Sequence, residues 1–115
     1  KNLIPLLKES NTSSIIFTSS GVGRKGRAYW GAYSISKFAT EAMMQILFDE
    51  LQNTTSIRVN CINPGAVKTK MRESAYPAEN PKSNPSAIDI MNPYLYLISD
   101  LSIDINGQSI DAQAR

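Results

Sequence analysis

Two short, β-branched runs separated by one long helical pattern restrict what this chain can fold into. Residues 14–18 (SIIFT) and 57–62 (IRVNCI) are brief and mostly apolar, as strands covered on both faces are. Between them, over residues 30–52, Ile35, Phe38, Ala39, Ala42, Met43, Ile46, Leu47 and Leu51 recur at intervals of three and four. That is the helical period, and it predicts a helix whose core-facing stripe is formed by these residues. A strand joined to a strand through such a helix implies parallel pairing and a right-handed crossover.

The flanks extend this pattern. Residues 1–10 (KNLIPLLKES) read as the end of an amphipathic helix. Over residues 69–85 the composition turns polar, with Pro77, Pro81 and Pro85, which predicts a mobile flap. Ser86 and Asp89 have capping-box spacing ahead of a helix in AIDIMNPYLYLISD. Pro93 is expected to kink that helix or to mark a restart capped by Asn92. Asn106 and Gly107 predict a turn into a short terminal strand. The fold class is therefore α/β: about three parallel strands with crossover helices, the second half of a doubly wound Rossmann-type sheet. Such sheets have about six strands, so residues 1–115 are expected to form part of a domain whose open edge is covered by further structure.

Composition narrows the chemistry. The chain has 115 residues, 42% of them hydrophobic, and a formal net charge of +2, too small a charge to suggest a polyanionic partner by field alone. The stretch RKGRAYW interleaves basic residues with Tyr29 and Trp30, but three cations make a weak nucleic-acid footprint. No apolar run approaches the ~18 residues of a membrane span and no secretory leader is visible, so a cytoplasmic protein without a nucleic-acid or membrane partner is expected. There is no histidine. Ser-His and Cys-His nucleophile pairs and imidazole-based zinc sites are thereby excluded, and no metal site is expected. The single cysteine, Cys61, reads as a buried strand residue.

Gly21, Gly23 and Gly26 spell G-x-G-x-x-G. A dinucleotide fingerprint also needs an acidic strand end about 20 residues on, whereas Glu41, Asp49 and Glu50 all fall inside the helical pattern. The flanks of the loop hold a different constellation: Ser20 at a strand end, then Tyr33 and Lys37. The latter two stand four apart on a helix, so they share a face about 6 Å apart along the axis. A phenol beside a fixed ammonium is a proton donor or acceptor for a carbonyl or alcohol, and a nearby hydroxyl can hold the same oxygen. Spacing by itself favours a plainer reading, in which Tyr33 packs, Lys37 is solvated and Ser20 shapes a turn.

Resemblance separates the two readings. Ser20-Gly-Val-Gly23 and, thirteen residues after Ser20, Tyr33-Ser-Ile-Ser-Lys37 resemble the active-site signature of the short-chain dehydrogenase/reductase family. The segment INPGAVKTKM is similar to that family's Pro-Gly-x-x-x-Thr segment, and YLISDLSIDINGQSIDA to its closing helix, turn and strand. The likeness runs from residue 1 to about 113, and is nearest to a proteobacterial subgroup. It implies Ser20 as the substrate-orienting serine, Tyr33 as general acid/base and cofactor contact, and Lys37 as stabiliser of the phenolate and holder of the nicotinamide ribose. Pro64, Gly65, Val67 and Thr69 would lie against the nicotinamide end of NAD(P)(H), with no preference between NAD and NADP legible. It further implies a small alcohol or carbonyl substrate and a homodimer or homotetramer at full length. The family's TGxxxGxG turn, the acidic or basic residue that selects the cofactor, and the catalytic Asn have no counterpart here, so the chain alone is expected to be inactive. An alternative is a non-catalytic association module, with Met44 and Phe48 on a helix flank continuing from Lys37 and Glu41 and facing a partner.

Overall fold

The computed structural model describes residues 2–114; Lys1, the first residue of the expected N-terminal helix, lies outside the described residues, as does Arg115. Helix α1 (Ile4–Lys8) is followed by strand β1 (Ser13–Thr18), helix α2 (Gly31–Leu51), strand β2 (Ile57–Asn63), helices α3 (Lys70–Ala75) and α4 (Met91–Ile98), and strand β3 (Ser109–Asp111). Single 3₁₀ turns stand at Gly21–Gly23, Pro81–Ser83, Ile88–Ile90 and Asp100–Ser102. The sheet order is β1-β2-β3 and both pairings are parallel. Ser13 is paired with Ile57 and Thr18 with Ile62, so β1 and β2 end level with each other. Open α/β sheets gather their ligands at that end.

Strand alternation divides the interior into two layers. Ile57, Val59 and Cys61 pack with Met44 and Leu51, bordered by Ile4, Leu7, Ile15, Phe17, Leu47 and Phe48. Burial pushes the Cys61 thiol up to about 12, as expected of an inert core cysteine. The opposite face of β2 carries Arg58 and Asn60, both buried. Arg58 donates to the carbonyls of Leu97 (3.4 Å), Ser99 (3.2 Å) and Ser102 (2.7 Å) and to the Ser102 hydroxyl (2.6 Å). These acceptors sit at the C-terminal end of α4 and in the turn beyond it, where helix carbonyls lack intrahelical partners and partial negative charge collects. Arg58 thus caps α4 from within the sheet.

Two asparagines extend the β2–β3 joint. The Val59 N–H donates to Asn106 Oδ1 at 2.8 Å, while Asn60 accepts from the Gln108 N–H (2.9 Å) and donates to the Ile105 carbonyl (3.0 Å). They substitute for ladder bonds ahead of Cys61, where β3 begins to pair.

Helix α2 is rotated away from its expected orientation. Ile35, Phe38, Met43 and Ile46 are exposed, Ile35 to 72%, and so are Ala39 and Ala42. The buried residues are Ser34, Glu41, Met44 and Leu51. Met44 and Phe48 therefore belong to the core side and do not face a partner. Both faces of the helix are apolar, so periodicity could not choose between them; buried polar anchors do. Ser34 donates to the Val22 carbonyl at 2.6 Å, and Glu41 Oε1 accepts from Ser19 (2.5 Å) and Ser109 (2.8 Å). Gly107, at φ +69°, lets the Phe48 ring approach to where a Cβ would meet it at 2.8 Å.

Pro93 does not interrupt its helix. It is the third residue of α4, whose N-cap position is Ile90 and not Asn92; first-turn N–H groups have no helical partner, so their loss costs little there. Asp89 Oδ2 accepts from the Ser86 N–H (2.8 Å) and hydroxyl (2.6 Å), closing the turn before α4.

Candidate active site

Past Thr18 the chain leaves the sheet extended, and its two serines diverge. Ser19 is buried and committed to Glu41. Ser20, at φ −158° and ψ 158°, faces the cavity; its hydroxyl has no hydrogen-bond partner among the described residues. The 3₁₀ turn at Gly21–Gly23 then brings the loop onto α2. A Cβ on Gly23 would lie 2.8 Å from both the Cβ and the carbonyl oxygen of Lys37. Because that obstacle includes backbone, we expect Gly23→Ala to displace Lys37 and to lower kcat by about tenfold or more in the full-length protein, with a smaller effect on melting temperature. Steady-state kinetics beside thermal denaturation checks this.

The glycines do not form a phosphate cradle. Helix α2 begins only at Gly31, five residues after Gly26, so the loop does not open directly into a helix N-terminus as a dinucleotide turn must. One of its three cations is built into the fold. Arg24 is partly buried and donates to Asp111 Oδ1 (2.8 Å), Ser109 Oγ (3.0 Å) and the Ile110 carbonyl (3.3 Å), tying the loop to β3. Lys25 and Arg27 are exposed.

Tyr33 and Lys37 occupy the first two turns of α2, on either side of the Ser34 anchor. Lys37 Nζ donates to the Thr18 carbonyl at 3.0 Å and lies 5.6 Å from the centre of the Tyr33 ring. The end of β1 thereby holds the ammonium beside the phenol. Across from them, the segment after β2 is pinned by Gln113, which donates to the carbonyls of Pro64 (2.7 Å) and Ala66 (2.9 Å). Gly65 has φ +73°, and a Cβ there would meet Gln113 at 2.9 Å. Thr69 caps α3, accepting from the Arg72 N–H at 3.1 Å.

Ser20, Tyr33 and Lys37 on one side and Pro64, Gly65, Val67 and Thr69 on the other line a single cavity of about 700 Å³. All seven residues singled out from the sequence are brought together. The cavity is also lined by Trp30, Arg72 and Tyr76, from the two loops in which the family resemblance would place substrate specificity. Trp30 lies 5.7 Å from the Tyr33 ring and 6.1 Å from the Tyr76 ring, centre to centre. The expected flap is partly helical, and Arg72 in α3 pairs edge-on with Glu79 at 2.7 and 2.8 Å. The spacing of Arg72 and Glu79, seven residues across Pro77, was the only trace of this pair.

That pair gives the loop an acid limit. Hydrogen bonds from Arg72 hold the Glu79 carboxyl well down, from 4.5 to about 2. A carboxyl lowered on folding contributes stability above its unfolded value and loses it as pH falls through the folded value. We expect Trp30 emission to shift as pH falls from 4.5 towards 2, because Tyr76 joins Trp30 to Arg72. The sole tryptophan of the chain makes the signal specific, and Glu79→Gln abolishes the step.

The chain resembles known proteins over nearly its whole length. The family model for short chain dehydrogenases matches residues 1–80. The chain belongs to the short-chain dehydrogenase/reductase family. It is 55% identical over 96% of its length to the uncharacterized oxidoreductase YciK of Escherichia coli K12, of which it covers 43%. A short chain dehydrogenase from Salmonella enterica serovar Typhi superposes with a TM-score of 0.94 at 56% identity, over 97% of this chain and 46% of that one. Another family member, from Shigella flexneri 2a and solved in complex with NADP, superposes with a TM-score of 0.93 at 54% identity, over 97% of this chain and 46% of the other. The chain thus spans less than half the length of these relatives. Among the described residues no helix is long and apolar enough to cross a membrane.

Proposed function

We propose that the full-length protein transfers hydride between NAD(P)(H) and a small alcohol or carbonyl compound, with Ser20, Tyr33 and Lys37 as its catalytic residues. The observation that carries this reading is the fixed ammonium of Lys37, held by the Thr18 carbonyl beside the Tyr33 ring in a cavity that Ser20 also lines. In the reducing direction the Ser20 hydroxyl donates to the carbonyl oxygen and orients it. As that oxygen gains negative charge, Tyr33 gives it the phenolic proton, and the positive charge of Lys37 stabilises the phenolate left behind. Tyr33 regains a proton from solvent; in the oxidising direction its phenolate accepts the alcohol proton. The nicotinamide, when bound, supplies or accepts the hydride at the carbinol carbon.

The residues present fit that group. Gly65, which has no room for a side chain beside Gln113, offers bare backbone to the cavity, and Pro64, Val67 and Thr69 form the wall next to it. The NADP complex of the Shigella relative favours NADP(H). The exposed strip of α2 from Ile35 to Ile46 is the surface we assign to subunit contact in a homodimer or homotetramer, and the 115 residues alone are proposed to be inactive, since they offer only part of a dinucleotide surface. Calorimetric titration tests this: the full-length protein binds NADPH saturably, and the isolated chain does so at least about tenfold more weakly. Absence of binding by the full-length protein would refute the reading.

A further inference from the structure

The cavity wall facing the catalytic residues has a charge balance that limits what it can accept. Of the described residues lining it, only Lys37 and Arg72 carry a charge, and none is a carboxylate. Both cations already have partners among the described residues. Lys37 is engaged with the Thr18 carbonyl and the Tyr33 ring. Arg72 presents one edge to both oxygens of Glu79, and its face lies 3.7 Å over the Tyr76 ring. Glu79 is itself held by Asn84 at 2.8 Å, so the pair is locked from both ends. Besides the hydroxyls of the catalytic side, the wall is mainly aromatic and aliphatic: Trp30 and Tyr76 in mutual contact, with Met71, Ala75 and Val67 next to them.

An apolar cavity whose cations are already engaged penalises an anionic ligand, because desolvation is repaid by pairing only in part. Tilted aromatic rings, by contrast, reward a planar ring placed against them. Building on the hydride-transfer reading above, we propose that the site selects uncharged, ring-bearing carbonyl and alcohol compounds. Trp30 and Tyr76 are the residues that set this preference, and Glu79 keeps Arg72 from recruiting anions.

The test uses the full-length protein saturated with NADP+, so that ketones bind without turnover, and a matched pair of probes: 4-acetylbenzamide and 4-acetylbenzoate. Calorimetric titration is expected to show the neutral amide binding roughly tenfold or more tightly than the anion. Tyr76→Ala weakens the amide by about tenfold while NADP+ affinity is retained, and Tyr76→Phe keeps amide binding. Glu79→Gln frees the guanidinium and raises affinity for the benzoate with little change for the amide. Equal or tighter binding of the benzoate by the wild-type protein would overturn the proposal; it would point instead to Lys25 and Arg27, which line an adjoining cleft that shares Trp30 and Tyr76. Unchanged amide affinity in Tyr76→Ala would overturn it too. Failure of the wild-type protein to bind NADP+, measured first, would remove the hydride-transfer reading itself and is thereby told apart from failure of the substrate class.

Discussion

Tyr33→Phe in the full-length protein lowers kcat for carbonyl reduction by roughly 10²- to 10⁴-fold and leaves NADPH affinity and melting temperature nearly unchanged. The size follows from what the hydroxyl does. Without it, no phenol stands beside Lys37 to give up a proton, and the negative charge that develops on the substrate oxygen is met by Ser20. The ring keeps its contact with Trp30, 5.7 Å away, so the pocket should hold its shape. Rapid-mixing absorbance of NADPH oxidation with a saturating ketone separates the chemical step from binding. A variant that retains most of the wild-type rate would mean that Tyr33 is only a packing residue.

The largest expected effect on stability lies far from the cavity. Arg58→Leu should destabilise the fold by about 2–4 kcal/mol. Two terms oppose each other. Removing a buried cation relieves its desolvation, and in some proteins apolar replacement of a whole buried ionic group is neutral or stabilising. Here only one partner leaves, however: the carbonyls of Leu97, Ser99 and Ser102 keep other donors but lose the guanidinium. Hydrogen bonds to a charged group contribute ~1.5–3 kcal/mol each, and their joint loss outweighs the relief. Arg58→Lys should fall between the two, since an ammonium keeps the charge at the end of α4 but cannot reach all the acceptors that a planar guanidinium does. Differential scanning calorimetry checks the order, with the leucine variant melting on the order of 10 °C lower.

The sheet and the crossover were legible because they rest on coarse features: β-branched runs of strand length around a helix-length periodic segment. Strand β1 was expected at residues 14–18 and is formed by Ser13–Thr18; α2 was expected over 30–52 and spans Gly31–Leu51. The cavity was legible for a different reason. Ser20, Tyr33 and Lys37 lie within one strand–loop–helix unit, but their spacing alone favoured a plainer reading; resemblance to the family put them and the segment around Pro64 and Gly65 at one site. What stayed hidden depends on contacts between residues distant in sequence. The rotation of α2 is set by Glu41 meeting Ser19 and Ser109, and nothing in a helix with two apolar faces announces which side those serines take. Arg58 carried no mark of its role because its acceptors come some 40 residues later. Arg24 was hidden for the same reason: its partners belong to β3. The paired Arg72 and Glu79, which shape the aromatic wall, lay in a stretch whose prolines suggested only mobility.

The most direct test of the central claim is a crystal structure of the full-length protein with NADP(H) and a ketone that it turns over. Our account predicts the ketone oxygen within hydrogen-bond reach, about 2.6–3.2 Å, of both Ser20 Oγ and the Tyr33 hydroxyl, with Lys37 Nζ still at the Thr18 carbonyl. A ketone seated with its oxygen turned away from Tyr33, or bound outside the cavity between α2 and the Pro64–Thr69 segment, would contradict it.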